Sequence, residues 1–456
     1  MERLTAADLS MVWPEDFGWP QDIGALAVLD GSGLLDANGR VPIEDLRDRI
    51  GSRLHLLPRF RQLLHMPPTG LGWPLWVDAP CFDVADHVGV FPLGRSADEG
   101  QLLAACAELF ERRLDRSRPL WRLWFLPGLP DGRVGVFMKL HHAIADGIAG
   151  VAAFGAFLDP GADASTPAAP PWTPAPMPSA RELFDDNLRR RLQGLDRAVS
   201  KLAHPLDVAR QARQGWPAVR EAFAEQRAPR TSLNRPIGGR RRLAIIRSDL
   251  ELVKEIAHTH GGKVNDVLLA AVAGGLRQLL RSRGEDVDAV VLRVFVPVSL
   301  HKEQPGQARG NLDGAMVVPL PIGEPDPVRR LWLIAAETAE RKKKTRPAGS
   351  TLFWCPAVQR AFLRRMAGQR FTNGYVADVP GPPVPLYLAG APLLEVFPLV
   401  PIMGNMTLGV GALSYAGQFN ITAVADRETC PDVPVFVDGA RASLDTLARS
   451  VLASTA

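Results

Sequence analysis

The chain has 456 residues, of which 46% are apolar and 22% charged, enough for two large lobes or about three domains around a sizeable core. That composition excludes an extensively disordered or fibrous protein, and a net charge of +4 is too small a surplus for a general nucleic-acid binder. Three windows are locally basic. Asn187 to Arg213 carries seven positive and two negative side chains, Arg235 to Arg247 carries five positive and no acids, and Arg341 to Arg346 carries five. Each suits phosphates or an anionic lipid surface, and each also suits a solvated face.

Met1 to Trp13 contains Glu2 and Asp8 and no long apolar run, which argues against a secretory signal. Cys81, Cys106, Cys355 and Cys430 lack CxxC or CxxH spacing, so neither a zinc site nor a disulfide framework is indicated and a reducing cytoplasm fits. The first 160 residues mix strands and helices: Gly24 to Leu29 reads as a strand, and Gln101 to Arg113 as a helix with Leu102, Leu103, Cys106 and Phe110 on one side. Pro160 to Pro178 is dense in proline and alanine, an extended spacer suited to a crossover between lobes.

A long helical pattern follows, with Leu183, Phe184, Leu188, Leu192, Leu195, Val199, Leu202 and Leu206 at spacings of three and four, interrupted at Pro205. Its other face is basic, so it either packs on the body with arginines outward or lies on an anionic membrane. From Arg240 the mixture resumes with a strand at Leu243 to Arg247, helices at Asp249 to His260 and Asn265 to Leu280, and a strand at Ala289 to Val296. The apolar tract Pro385 to Gly417 is broken by Gly390, Pro392, Glu395, Pro398, Pro401 and Gly404. It reads as strands and turns, because a spanning helix needs ~20 unbroken apolar residues.

Chemistry concentrates in Val134 to Gly147. Val134, Val136, Met138 and Leu140 alternate as a strand, and Asp146-Gly147 start a small-residue helix from Ile148 to Leu158. His141 and His142 therefore sit where a strand ends. Imidazole, with an ordinary pKa near 6.5, takes protons at neutral pH, so His142 is a candidate general base; the alternative is a pair of core-edge histidines with Asp146 as a helix cap. A metal held by His142 and Asp146 lacks an evident third ligand.

His141-His142-Ala-Ile-Ala-Asp146-Gly147 resembles the HHxxxDG motif of the CoA-dependent acyltransferase superfamily. Pro119-Leu120-Trp121 is similar to the PLW motif, and Asn265-Asp266 to the ND motif, of the bacterial wax ester synthase/diacylglycerol acyltransferase family. The resemblance runs over essentially the whole chain, including Leu4 to Asp8, Gly24 to Asp30, Pro297 to Leu300, Gly310-Asn311 and Ser414 to Gly417. One departure stands out. Ala377-Asp378 precedes Val379-Pro380-Gly381-Pro382 where the family usually has Ser or Thr followed by Asn.

The resemblance implies an α+β fold of two chloramphenicol-acetyltransferase-like lobes, with mixed sheets flanked by helices and a tunnel between them. The lobes fall at residues 1–160 and 240–456, joined by a proline-rich and basic helical crossover at 161–239. It implies transfer of a long-chain acyl group from acyl-CoA, a substrate and not a cofactor, to diacylglycerol or a long-chain alcohol, with no metal and no cofactor. His142 would act as the base, without a covalent acyl-enzyme. His141 would position it, Asp146 would hold the loop through an arginine, and Gly147 would let the backbone pass close to the tunnel. Asn265 would orient the histidine or simply cap its helix, with Asp266 beside it. Pro119, Leu120 and Trp121 would form an acyl-chain wall, and Arg240, Arg241 and Arg242 would meet the CoA phosphates. The expected location is cytoplasmic, in peripheral contact with the inner membrane face or lipid droplets and without nucleic acid. A carrier-protein-dependent condensation-type or polyketide-associated acyltransferase, or a non-catalytic lipid-binding homologue, is the alternative.

Overall fold

The computed structural model describes residues 1–164, 169–203, 227–299, 313–343 and 356–455. Two six-stranded mixed sheets carry it. The first runs in the order Tyr387–Leu388, Ala391–Leu399, Asp22–Leu29, Val134–His141, Trp121–Pro127, Val88–Val90. The second runs Asp313–Leu320, Leu292–Ser299, Gly374–Pro380, Leu408–Tyr415, Gln418–Asp426, Arg241–Asp249. A small antiparallel sheet of Glu2–Arg3, Leu75–Asp78 and Gln62–His65 completes the strands. The α+β class that the resemblance implies is the class observed.

Val134–His141 is buried along its whole length, as a strand with two antiparallel neighbours and both faces covered must be. Val134, Val136, Met138 and Leu140 enter one apolar cluster with Trp121, Phe154 and Phe157. Phe137 turns the other way, toward Phe110 and Trp124. The exception is Lys139, whose buried ammonium lies 2.9 Å from Asp22 Oδ2 and donates to the carbonyls of Phe110 (2.8 Å) and Arg112. A buried cation is tolerated only with such partners.

The two halves do not stay separate. Ala391–Leu399 leaves the C-terminal half and pairs antiparallel with Asp22–Leu29, with Phe397 opposite Leu26 and Leu399 opposite Gly24. A strand from within the 240–456 lobe thus lends an edge to the other sheet. A shared core welds the seam: Leu102, Cys106 and Leu109 of helix Glu99–Glu111 pack with Leu243, Ile245 and Val424 of the second sheet and with Phe397 and Leu399. Each such fully buried leucine contributes ~1.5–3 kcal/mol.

Of the crossover, residues 169–178 carry no regular structure and helix Ala180–Ala203 follows; Pro205 and Leu206 lie outside the described residues. Leu183 anchors this helix on Leu75 and Val77, and Asp186 pairs with Arg3 at 2.8 Å. No helix among the described residues is long and apolar enough to cross a membrane.

Helix Val264–Ser282 is the core of the second half, covered by Val433–Thr455. Their approach requires glycine. A Cβ on Gly275 would lie 2.5 Å from the Phe436 carbonyl oxygen, and one on Gly439 2.7 Å from Gln278 Cβ. Gly275→Ala is expected to push the helices apart and destabilise the protein by ~1–3 kcal/mol, read as a lower urea midpoint; an unchanged midpoint refutes this packing constraint.

Candidate active site

The end of Val134–His141 is pinned by backbone bonds before any side chain acts. His141 N–H donates to the Leu120 carbonyl at 2.9 Å and His142 N–H to the Gln21 carbonyl at 2.8 Å. His141 accepts the Ala143 N–H on Nδ1 at 3.0 Å, so its proton sits on Nε2, which faces Glu15 Oε1 at 3.0 Å. Burial works against the Glu15 carboxylate, but His141 and Arg116 outweigh it and hold its pKa below the usual value. Glu15, Asp22 and His141 bring ligand-type atoms within 4.8 Å of one another. Both carboxylates already have a cation, Arg116 on Glu15 and Lys139 on Asp22, so the group is an ion network that fixes His141.

His142 differs from its neighbour: it lines a cavity walled by both halves of the chain. The near wall comes from the first sheet and the following helix, with Ile23, Leu140, Gly147, Ile148 and Phe154. The far wall comes from the second half, with Tyr375, Val379, Leu393, Val396, Leu399 and Leu413. Desolvation in this apolar lining pushes the His142 pKa down, against the pull of the Asp146 carboxylate. The imidazole is therefore neutral at pH 7, the form that accepts a proton.

Asp146 is the N-cap of helix Gly147–Gly155, with Oδ1 accepting the Ala149 N–H at 2.9 Å. Among the described residues no arginine pairs with it, so the expected arginine tether is replaced by plain capping. Gly147 lines the cavity, and a Cβ there would lie 3.2 Å from Val379 Cγ2. Gly381 lies at a still closer approach, where a Cβ would meet the Ser414 carbonyl oxygen at 2.2 Å.

The other predicted residues fall outside this cavity. Trp121 is fully buried, packed between Phe60 and His87, with Nε1 donating to the Phe60 carbonyl at 2.8 Å. Pro119, Leu120 and Trp121 are therefore core under the histidine strand and not an acyl-chain wall. Asp266 accepts from Lys263 N–H at 2.9 Å and from Thr338 Oγ1 at 2.7 Å, a cap that ties two helices, and Asn265 stands beside it at the same helix start. Neither lines the cavity. Strand alternation parts the arginine cluster: Arg241 is buried and donates to the Gly238 and Arg240 carbonyls at 2.8 and 3.0 Å, while Arg242 reaches the Pro431 carbonyl at 2.8 Å. With Arg240 exposed, the three do not converge on one phosphate. Leu300, Gly310 and Asn311 lie outside the described residues.

Sequence reasoning missed Tyr375, Leu393, Val396, Leu399 and Leu413 of the far wall, which belong to no motif, and gave Asp378 only as a departure from a pattern. Asp378 lines the same cavity as His142. Burial raises its carboxyl pKa to about 6, with Lys342 opposing.

The wax ester synthase/diacylglycerol acyltransferase catalytic domain matches residues 4–268, and the C-terminal domain of the same family matches residues 309–448. A Mycobacterium tuberculosis (strain ATCC 25618 / H37Rv) protein named a probable diacylglycerol O-acyltransferase is 31% identical over 476 aligned positions, spanning 100% of this chain and 96% of that one. The wax ester synthase/diacylglycerol acyltransferase from Marinobacter aquaeolei VT8 superposes with a TM-score of 0.69 at 22% identity, over 98% of this chain and 99% of that one. The starter condensation domain of rhizomide synthetase superposes with a TM-score of 0.60 at 14% identity, over 99% and 94%. At those identities the two structures establish a shared fold.

A carboxyl whose folded pKa is about 6 binds its proton more tightly folded than unfolded, so its contribution to stability is full at low pH and is lost as pH rises through about 6. Asp378→Asn is expected to raise Tm by a few degrees at pH 8 and by nothing at about pH 4. Scanning calorimetry across that range checks it, and equal shifts at both ends refute a stranded carboxylate.

Proposed function

The chain belongs to the wax ester synthase/diacylglycerol acyltransferase family and is an acyltransferase, and we propose that it moves a long-chain acyl group from acyl-CoA onto a lipid hydroxyl with His142 as general base. The observation that carries this reading is a neutral, buried imidazole at the wall of an apolar cavity built from both halves of the chain. A fatty acyl chain and a lipid alcohol are the substrates such a lining desolvates at least cost.

The chemistry follows from the position of that nitrogen. His142 removes the proton of the acceptor hydroxyl as its oxygen attacks the thioester carbonyl; the C–O bond forms and the carbonyl electrons move onto oxygen. On collapse the C–S bond breaks, and the imidazolium returns its proton to the CoA sulfur. Such acid–base service contributes 10²–10⁴ in rate. His141 acts at one remove: its ring, fixed between the Ala143 N–H and Glu15, holds the turn that aims its neighbour. Acceptors in this reading are diacylglycerol and long-chain alcohols.

Contact with an anionic membrane or lipid-droplet surface belongs to the same proposal. Phe184, Leu188, Leu192 and Leu195 are 51%, 45%, 55% and 62% exposed along helix Ala180–Ala203. Arg181, Arg189, Arg190 and Arg191 stand beside them, the combination that lies in a lipid interface.

His142→Ala is expected to cut ester formation from radiolabelled palmitoyl-CoA, with diacylglycerol and hexadecanol as parallel acceptors, by at least ~10²-fold while leaving the unfolding free energy in urea within about 1 kcal/mol of wild type. In wild type the acid limb of kcat/KM should fall below pH 6.5, since burial lowers the imidazole pKa. Histidine-independent ester formation overturns the role given to His142. Leu188→Asp combined with Leu192→Asp should abolish flotation with anionic liposomes at low salt; wild type remaining at the bottom of the gradient would end the membrane proposal.

A further inference from the structure

Asp378 is the one acidic side chain among the described residues that line the His142 cavity. It stands near the end of strand Gly374–Pro380, next to Val379, which packs on the Gly147 turn. No hydrogen bond from the described residues reaches its carboxyl. The charged group acting on it is Lys342 of helix Pro327–Lys343. The titratable groups sharing its cavity are His142, Tyr375 and Tyr415. Tyr415 is committed elsewhere, its hydroxyl accepting from Leu386 N–H at 2.8 Å and donating to the Leu393 carbonyl at 3.0 Å.

An ionised carboxyl only accepts hydrogen bonds. When an apolar substrate fills the cavity and displaces its water, the carboxylate loses solvation and needs a donor from the ligand, because leaving a buried acceptor unpaired costs more than a made bond returns. An acceptor with one hydroxyl gives that group to His142 and has nothing left for Asp378. We propose that Asp378 is a specificity-determining residue that selects lipid acceptors carrying a second hydrogen-bond donor, 1,2-diols and monoacylglycerols, over lipids with a single hydroxyl. The proposal rests on the acyl-transfer reading above.

Hexadecanol and 1,2-hexadecanediol differ by one hydroxyl on the same chain, so the ratio of their kcat/KM values isolates that group. With the full-length protein and palmitoyl-CoA, the diol is expected to be favoured on the order of tenfold at pH 8. As pH falls below about 6 the carboxyl becomes neutral, donates as well as accepts, and the preference shrinks. His142 serves both acceptors, so its own titration cancels in the ratio. Asp378→Ala should bring the ratio close to one, and Asp378→Asn should make whatever preference remains independent of pH. A wild-type ratio near one at pH 8, or a ratio unmoved by pH and by Asp378→Ala, overturns the selection while leaving His142-dependent acyl transfer intact. Absence of ester from either acceptor overturns the acyl-transfer reading and this inference with it. The wild-type pH profile decides the matter even where a variant fails to fold.

Discussion

The pairing of Ala391–Leu399 with Asp22–Leu29 is the constraint on which the site depends. Backbone hydrogen bonds in a ladder leave little freedom in register, since a one-residue slip would turn every side chain to the wrong face. With that register set, Val396 and Leu399 face the cavity from one half while Ile23 and Leu140 face it from the other. The shared cluster around helix Glu99–Glu111 then holds the halves together along the seam. A cavity between two merely apposed lobes would open and close with their relative motion; here one sheet contains strands of both.

That geometry explains why the same space lowers one pKa and raises another. Desolvation disfavours whichever form is charged, so His142 is pushed toward its neutral base form and Asp378 toward its protonated form. The histidine is held in the form that can accept a proton. The aspartate only costs stability in the empty cavity, and a residue kept at such a cost is better understood through what fills the cavity than through the fold it weakens.

The parts legible in the sequence were those governed by local rules. Alternation located Val134–His141, helical spacing located Glu99–Glu111 and Val264–Ser282, and proline density marked the crossover, because each pattern reflects interactions among residues close in the chain. The end of that strand, and so the place of His142 in the fold, was legible for the same reason. What was not legible depends on contacts between residues far apart in the chain: that Leu393 to Val400 would wall a cavity opposite Met138 and Leu140, and that Trp121 would be sealed under Phe60. The arginine triplet misled because consecutive residues on a strand point to opposite faces, so closeness in sequence worked against convergence in space.

The division of labour within the motif follows from burial. His141 is sealed between a backbone amide and Glu15, Lys139 between Asp22 and two carbonyls, and Asp146 against the first turn of its helix. Each of these buried groups has a partner on its own side of the strand end, and none of the three lines the cavity. Their effect is to make the strand end rigid on the side away from the cavity. His142 and Gly147 alone of the motif's fixed residues face the cavity, one supplying a nitrogen and the other room beside Val379. The support behind the imidazole comes from its own strand end and leaves the opposite wall free to vary, and it is on that wall that Asp378 stands.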